Sequence, residues 1–119
     1  MRKPIRLAFL AGVALLATGM RHNHLVKSAP GQGQELATAP TEIRLWFSER
    51  PEVAFTSVTL MQGDSTRIAT IKAVATDDSL AVSIPLAMPL PAGKYLVGWR
   101  TASKDGHAIR GVLGFSIAP

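Results

Sequence analysis

Short alternating apolar runs, separated by turn-forming residues, constrain the fold of this chain most strongly. Within residues 42–48, Ile43, Leu45 and Phe47 recur at every second position, which is the spacing of one face of a β-strand. No segment after residue 21 has a convincing helical period, so we expect an all-β protein. Further runs rich in β-branched and apolar residues occupy 55–61, 67–74, 80–86, 95–100 and 110–117.

Turn residues and the lack of cysteine narrow the fold further. Glycine, proline and aspartate cluster at 30–33, 62–64, 77–79 and 89–93, between the predicted strands. About seven short strands spaced in this way predict a single Greek-key β-sandwich, with an open barrel as the alternative closure. The chain has no cysteine, so packing must supply its stability and no thiolate can bind a metal or act as a nucleophile.

The start of the chain is typical of an exported protein. Basic side chains precede an apolar run over residues 7–17, and polar residues follow it. This layout predicts a secretory signal peptide over residues 1–21 and one mature domain over residues 22–119. The alternative is an uncleaved membrane anchor, but the apolar run is short for a span.

Two cleavage sites remain open on the sequence alone. Small residues at the last and third-last positions favour cleavage after Gly19, which would leave Met20 and Arg21 ahead of His22. Cleavage after Arg21 would instead make His22 the first residue, with a free α-amine.

The charge of the chain is concentrated at its start. The formal net charge of the whole chain is +5, yet residues 22–119 carry nine basic and eight acidic side chains. The basic residues stand singly between acidic ones, which excludes a nucleic-acid-binding stripe. We therefore expect a nearly neutral domain that binds no nucleic acid.

All three histidines fall in two short motifs. His22 and His24 follow the predicted signal peptide, and His107 follows Asp105 and Gly106 in a predicted loop. If His22 is the first residue, its amine and imidazole can chelate one metal ion. With Asp105 and His107 this gives about three nitrogens and one carboxylate oxygen, a donor set that suits tetragonal Cu(II).

Structural explanations of the same residues also stand. Asp-Gly is a common hairpin turn pair, so Asp105 could serve the turn with His107 merely exposed. His22 and His24 could belong to a polar tail. Met61 and Met88 lie in separate segments, so we expect them to fill gaps in the core and not to bind Cu(I).

Four separated motifs resemble the CopC family of periplasmic copper-resistance proteins. They occur in the family's order and with similar spacing, so the resemblance covers the whole predicted mature chain. The motifs are HNHLVKSAP (22–30), IRLWFSE (43–49), LPAGKYLVGWR (90–100) and SKDGH (103–107), followed by Gly111 and Phe115.

The resemblance implies a fold, a function and a ligand set. It implies an immunoglobulin- or cupredoxin-like sandwich that carries or buffers copper in the periplasm, as a monomer that is not an enzyme. His22, Asp105 and His107 match the family's Cu(II) ligands, with His24 as an auxiliary ligand. Glu49 follows the Phe-Ser pair near the expected site and serves equally well as a turn residue.

The resemblance also implies a partner and leaves alternatives. The expected partner is an inner-membrane CopD-type copper transporter. Residues 58–67 hold one methionine and no histidine, which indicates a Cu(II)-only protein. A copper monooxygenase-like enzyme with a histidine-brace site is the main alternative, and a β-sandwich interaction module with incidental histidines is another.

Overall fold

A computed structural model describes residues 22–119; the predicted signal peptide, residues 1–21, lies outside the described part. Strands and one short 3₁₀ turn, Val53–Phe55, make up its regular structure. The strands are β1 (Leu25–Ala29), β2 (Gln34–Leu36), β3 (Glu42–Phe47), β4 (Ser57–Gln62), β5 (Arg67–Lys72), β6 (Val74–Ala75), β7 (Ala81–Pro85), β8 (Gly93–Ala102) and β9 (Ala108–Ile117).

These strands form two sheets. One has four strands in the order β1-β3-β7-β6, and the other has five in the order β2-β9-β8-β4-β5. All pairs are antiparallel except β2 with β9, which run parallel. The predicted sandwich is confirmed, and two separate sheets exclude the open-barrel alternative.

Side chains from both sheets meet in one apolar core. Along β3 the burial alternates, with Ile43, Leu45 and Phe47 at most 1% exposed, as the period of two predicts. Phe47 meets Trp99 of β8 edge to face, with ring centroids 5.6 Å apart. This contact packs the end of β3 against the end of the β8–β9 hairpin that is nearest its loop.

Several predicted details need correction. The run predicted to begin as a strand at residue 55 starts instead with the 3₁₀ turn, and β4 begins at Ser57. The expectation that Met61 and Met88 fill the core is wrong. Met88 is 76% exposed, and Met61 is only partly buried because it alternates with the inward-facing Leu60.

Within residues 22–119 no helix has the length and apolar character needed to cross a membrane.

Candidate metal centre

The beginning of the described chain is held to the end of β3 by a set of hydrogen bonds. The Asn23 side-chain oxygen accepts one from the Ser48 hydroxyl at 3.2 Å and one from the Glu49 backbone N–H at 3.0 Å. The His24 backbone N–H donates to the Ser48 hydroxyl oxygen at 2.9 Å, and the Ser48 N–H donates to the His24 carbonyl at 2.9 Å. Residues 22–24 therefore have a defined position beside Ser48.

The two histidines of this segment are exposed and differ in their contacts. The Nδ1 atom of His24 lies 3.2 Å from the backbone carbonyl oxygen of His22. A carbonyl only accepts, so this hydrogen bond needs the proton on Nδ1, and Nε2 then keeps a lone pair that can bind a metal. The His22 side chain faces solvent.

The second motif is the loop that joins β8 to β9. Its base is closed by the Ser103 N–H donating to the His107 carbonyl at 3.1 Å, and the Gly106 N–H donates to the Ser103 carbonyl at 2.9 Å. Gly106 has a φ of +88°, a conformation that L residues rarely adopt. The Asp-Gly pair thus makes the turn, as its turn chemistry predicts.

Asp105 and His107 form a pair within this loop. One Asp105 oxygen accepts hydrogen bonds from the Ser103 hydroxyl and the His107 backbone N–H, and the other lies 2.9 Å from His107 Nδ1. Both side chains remain accessible, with 87% of His107 and 65% of Asp105 exposed. The turn therefore presents both candidate ligands to solvent side by side.

These contacts shift the charge states of the pair. The Ser103 hydroxyl, followed by the His107 side chain and backbone, holds the pKa of Asp105 well below its usual range. The hydrogen bond to Asp105 and its negative charge raise the pKa of His107. In the absence of metal, Asp105 is an anion beside an imidazole that holds its proton more strongly than usual.

A short linking segment, residues 48–52, connects the two motifs. Its first two residues hold Asn23, and at its other end the Glu52 N–H donates to the Ala102 carbonyl at 2.9 Å. Ala102 is the last residue of β8, next to the loop. Both motifs therefore lie at the same end of the sandwich.

Two buried threonines support this junction. The Thr56 hydroxyl donates to the Glu52 carbonyl at 2.8 Å and lies 2.7 Å from the Thr101 hydroxyl. Because the Thr56 hydroxyl already donates its proton to the Glu52 carbonyl, the Thr101 hydroxyl is the donor in the hydrogen bond between the two threonines. Both threonines are at most 1% exposed, so the end of the linking segment is fixed from inside the core.

The structure forms two groups of candidate ligands and does not bring them together around one point. Asp105 and His107 are in direct contact, and His24 contacts the His22 backbone. Among residues 22–119, no group of three or more histidine, cysteine, aspartate or glutamate side chains is arranged to hold a metal ion. Glu49 is exposed and is tied to Asn23 through its backbone.

Sequence reasoning missed the residues that hold the ligands in place. Asn23, Ser48 and Ser103 all bond to the chain near the candidate ligands. Asparagine and serine commonly form such local bonds, and that tendency is the signal the sequence offers. The partners of Asn23, however, lie twenty-five and twenty-six residues away, which no local pattern reveals.

Comparison with known families decides the identity of the domain. The family model for the CopC domain matches residues 25–118, which is nearly the whole described part. The chain belongs to the CopC family. Members of this family are copper-binding and copper-transport proteins, not enzymes, so the prediction of a non-enzymatic protein is confirmed.

Named relatives of this CopC-family chain agree with the assignment. It is 36% identical to copper resistance protein C of Pseudomonas syringae pv. tomato over 115 residues, covering 92% of this chain and 90% of the relative. It is also 34% identical to the copper transport protein CutJ of Bacillus subtilis, covering 95% of this chain but only 21% of CutJ. The chain thus spans about a fifth of that longer relative.

Solved structures show the same fold. CopC from Methylosinus trichosporium OB3b matches with a TM-score of 0.75 and 26% identity, over 82% of this chain and 95% of that one. PcoC from Escherichia coli, described as a methionine-rich copper resistance protein, matches with a TM-score of 0.72 and 33% identity, over 82% and 99%. The CopC-family sandwich is therefore confirmed in this chain.

Proposed function

We propose that this CopC-family protein carries or buffers copper, holding one Cu(II) ion between the beginning of the mature chain and the loop of Asp105 and His107. The observation that carries the proposal is the linking segment, residues 48–52, which hydrogen-bonds to residues 23–24 at one end and to the base of the loop at the other.

The proposed ligands are the amine and imidazole of His22, the carboxylate of Asp105 and the imidazole of His107, with His24 as an auxiliary ligand. Nitrogen and carboxylate donors suit Cu(II), and a chain without cysteine offers no thiolate for Cu(I). All four side chains are exposed, so they can rotate toward a shared ion without disturbing the core.

The Asp105–His107 contact shapes how the loop takes up the ion. Coordination through His107 Nε2 would leave its Nδ1 hydrogen bond to Asp105 in place and fix the ring orientation. Coordination through the Asp105 oxygen that accepts this bond would compete with it. For its ring to bind copper, a protonated His107 must first lose one proton, so copper and protons compete for this residue.

The proposal includes the cellular setting that the sequence predicts. Residues 1–21 would direct export and be removed, and residues 22–119 would act as one domain in the periplasm. The proposed ligands are exposed, which suits an ion that is received and passed on. The proposed recipient is an inner-membrane CopD-type transporter, and the protein would act as a monomer.

A competition titration of the protein purified from the periplasm tests this function. One tightly bound Cu(II) per chain is expected, with no Cu(I) site of comparable strength, because the two methionines of residues 22–119, Met61 and Met88, lie in separate segments and make a poor soft site. Cu(I) bound as tightly as Cu(II) would contradict it, as would the absence of tight Cu(II) binding.

A further inference from the structure

A row of cations crosses the outer face of the five-stranded sheet. In the strand register, Lys72 lies opposite Ser57, Ser57 opposite Arg100, and Arg100 opposite Arg110. Directly opposed residues share one face of a sheet, and the neighbours of Arg100, Trp99 and Thr101, are buried. Lys72, Arg100 and Arg110 therefore point outward together, and all three are exposed.

This row of like charges lowers the stability of the sheet, and the fold itself does not require it. Like charges directly opposite each other on adjacent strands are destabilising, and Arg100 and Arg110 form such a pair. Among residues 22–119, neither arginine nor Lys72 forms a salt bridge with a carboxylate. The row is thus a set of unneutralised charges on an otherwise nearly neutral domain.

The rest of this outer face is basic at its margins and apolar in between. Arg67, opposite Met61, and Lys94, opposite Ser116, add two exposed cations. Among the strand residues of this sheet, Glu35 at its edge is the one carboxylate. Between the cations lie small or apolar residues, including Val112, which is 65% exposed. The residues between the cations are Thr59, Met61, Thr70, Leu96, Gly98, Val112 and Gly114.

The row lies close to the candidate copper loop. Arg100 and Arg110 lie two pairs of positions inside Ala102 and Ala108, the last pair before the loop. At about 3.3 Å per residue, the row is about 10 Å from Ser103. A partner resting on this face would therefore reach the exposed side chains of Asp105 and His107.

We propose that this outer face, from the row of Lys72, Arg100 and Arg110 across to Arg67 and Lys94, is a docking surface for a partner protein that presents carboxylates around an apolar patch. Arginine matches carboxylates with paired hydrogen bonds, and an apolar centre with a polar rim is the usual anatomy of a protein interface. The cations here surround apolar side chains, of which Val112 is the most exposed, and this favours a protein surface over lipid headgroups. The proposal does not depend on which residues bind copper.

An NMR titration of the exported, metal-free protein tests the surface. The probe is a synthetic ten-residue peptide in which glutamate alternates with valine, added to ¹⁵N-labelled protein at low ionic strength. We expect amide shift changes at Arg100, Arg110 and Val112, and weakening on addition of salt, because exposed charges are screened beyond about 8 Å at physiological ionic strength.

Two matched double variants locate the effect. Arg100→Gln with Arg110→Gln should weaken peptide binding by about tenfold, about 1.4 kcal/mol. Arg44→Gln with Arg50→Gln removes the same charge outside this face and should leave the affinity nearly unchanged. Thermal unfolding checks that both variants are folded, and an unchanged Cu(II) affinity in the first variant separates this proposal from the copper site.

Three results would overturn the proposal. Shift changes spread evenly over the protein, or equal losses in both double variants, would indicate general charge attraction only. The third result would come from sedimentation of the protein with vesicles of phosphatidylglycerol and phosphatidylethanolamine. Binding to vesicles that depends on Arg100 and Arg110, without localised shifts from the peptide, would assign the face to a membrane and not to a protein.

Discussion

At the scale of single residues, the loop pairs a carboxylate with an imidazole in the open. Asp105 and His107 are both largely exposed, yet their side chains lie 2.9 Å apart because the turn at Gly106 brings them to one side. Exposed ion pairs contribute little to stability. The arrangement therefore matters for the protonation and orientation of His107 more than for the fold.

Asp105→Asn is expected to lower the pKa of His107. The carboxylate raises that pKa by accepting a hydrogen bond from the ring and by its negative charge, and asparagine removes the charge. In the native protein His107 thus keeps its proton to higher pH than in the variant. An NMR titration of the His107 ring proton measures the difference in metal-free protein.

A matched control uses another exposed turn aspartate. The Asp64 carboxylate accepts a hydrogen bond from the Thr66 N–H and does not contact His107. Asp64→Asn should leave the His107 titration unchanged. Equal titration curves for all three proteins would show that the Asp105–His107 contact does not persist in solution.

The residue that begins the mature chain should decide the copper affinity. Protein that starts at His22 is expected to bind Cu(II) at least about tenfold more tightly than protein that retains Met20 and Arg21. The α-amine has a pKa of about 7.7 to 8.0 and yields its proton readily to a metal, whereas an added residue turns it into an amide. Competition titration of both forms, with intact mass to confirm their first residues, measures the ratio. Equal affinities would remove the amine from the ligand set and make His24 the better third nitrogen.

At the scale of strands, the packing of Trp99 on Gly111 fixes the hairpin that carries the loop. The two residues are opposite each other on β8 and β9, and a Cβ at Gly111 would lie 2.5 Å from the Trp99 ring. Trp99 is buried and also packs against Phe47, so it has little room to move. This close approach explains why glycine occupies a strand interior, where it is otherwise unfavourable.

Gly111→Ala should therefore destabilise the protein by about 1 to 3 kcal/mol through overpacking. Gly114→Ala is the control, because a Cβ there would meet only ordinary contacts, the nearest at 3.5 Å. Urea unfolding followed by tryptophan fluorescence compares the two variants. Similar unfolding midpoints for both would mean that Trp99 does not rest on Gly111 as described.

For the paired arginines of β8 and β9 we expect substitution to raise the stability of the protein, whereas Gly111→Ala should lower it. Arg110→Glu replaces a like-charge pair with an opposite-charge pair and should raise the free energy of unfolding by roughly 0.2 to 1 kcal/mol. Arg110→Gln removes the repulsion alone and should give a smaller gain. Both are measured by urea unfolding at low salt. A loss of stability in both variants would contradict the register that places Arg110 opposite Arg100.

At the scale of the whole molecule, strong local patterns were predictable and weak ones were not. The alternation of Ile43, Leu45 and Phe47 predicted β3, because one face of this strand is buried in the core and the other is only partly buried. The strands β1, β2 and β6 escaped prediction, since they have two to five residues and few buried side chains. The partners of β1 and β2 are distant in the sequence, and β6 pairs with the following strand through only two residues.

The candidate site, too, could be predicted from the sequence only in part. The types and spacing of His22, Asp105 and His107 were enough to nominate them, and the turn at Gly106 followed from the Asp-Gly pair. The placement of the two motifs at one end of the sandwich depends on the linking segment, whose hydrogen bond from Glu52 to Ala102 joins parts of the chain fifty residues apart. Such a contact is a product of the folded sandwich, so the sequence alone could not supply it.

We propose that one Cu(II) ion joins the chain start to the Asp105–His107 loop. The electron paramagnetic resonance spectrum of the Cu(II)-loaded protein that starts at His22, compared with its His107→Ala variant, tests it most directly. About three nitrogen ligands are expected in the native protein, and the variant should lose one while its unfolding midpoint stays close to native, because an exposed loop side chain adds little to the core. A spectrum that His107→Ala leaves unchanged would contradict the account.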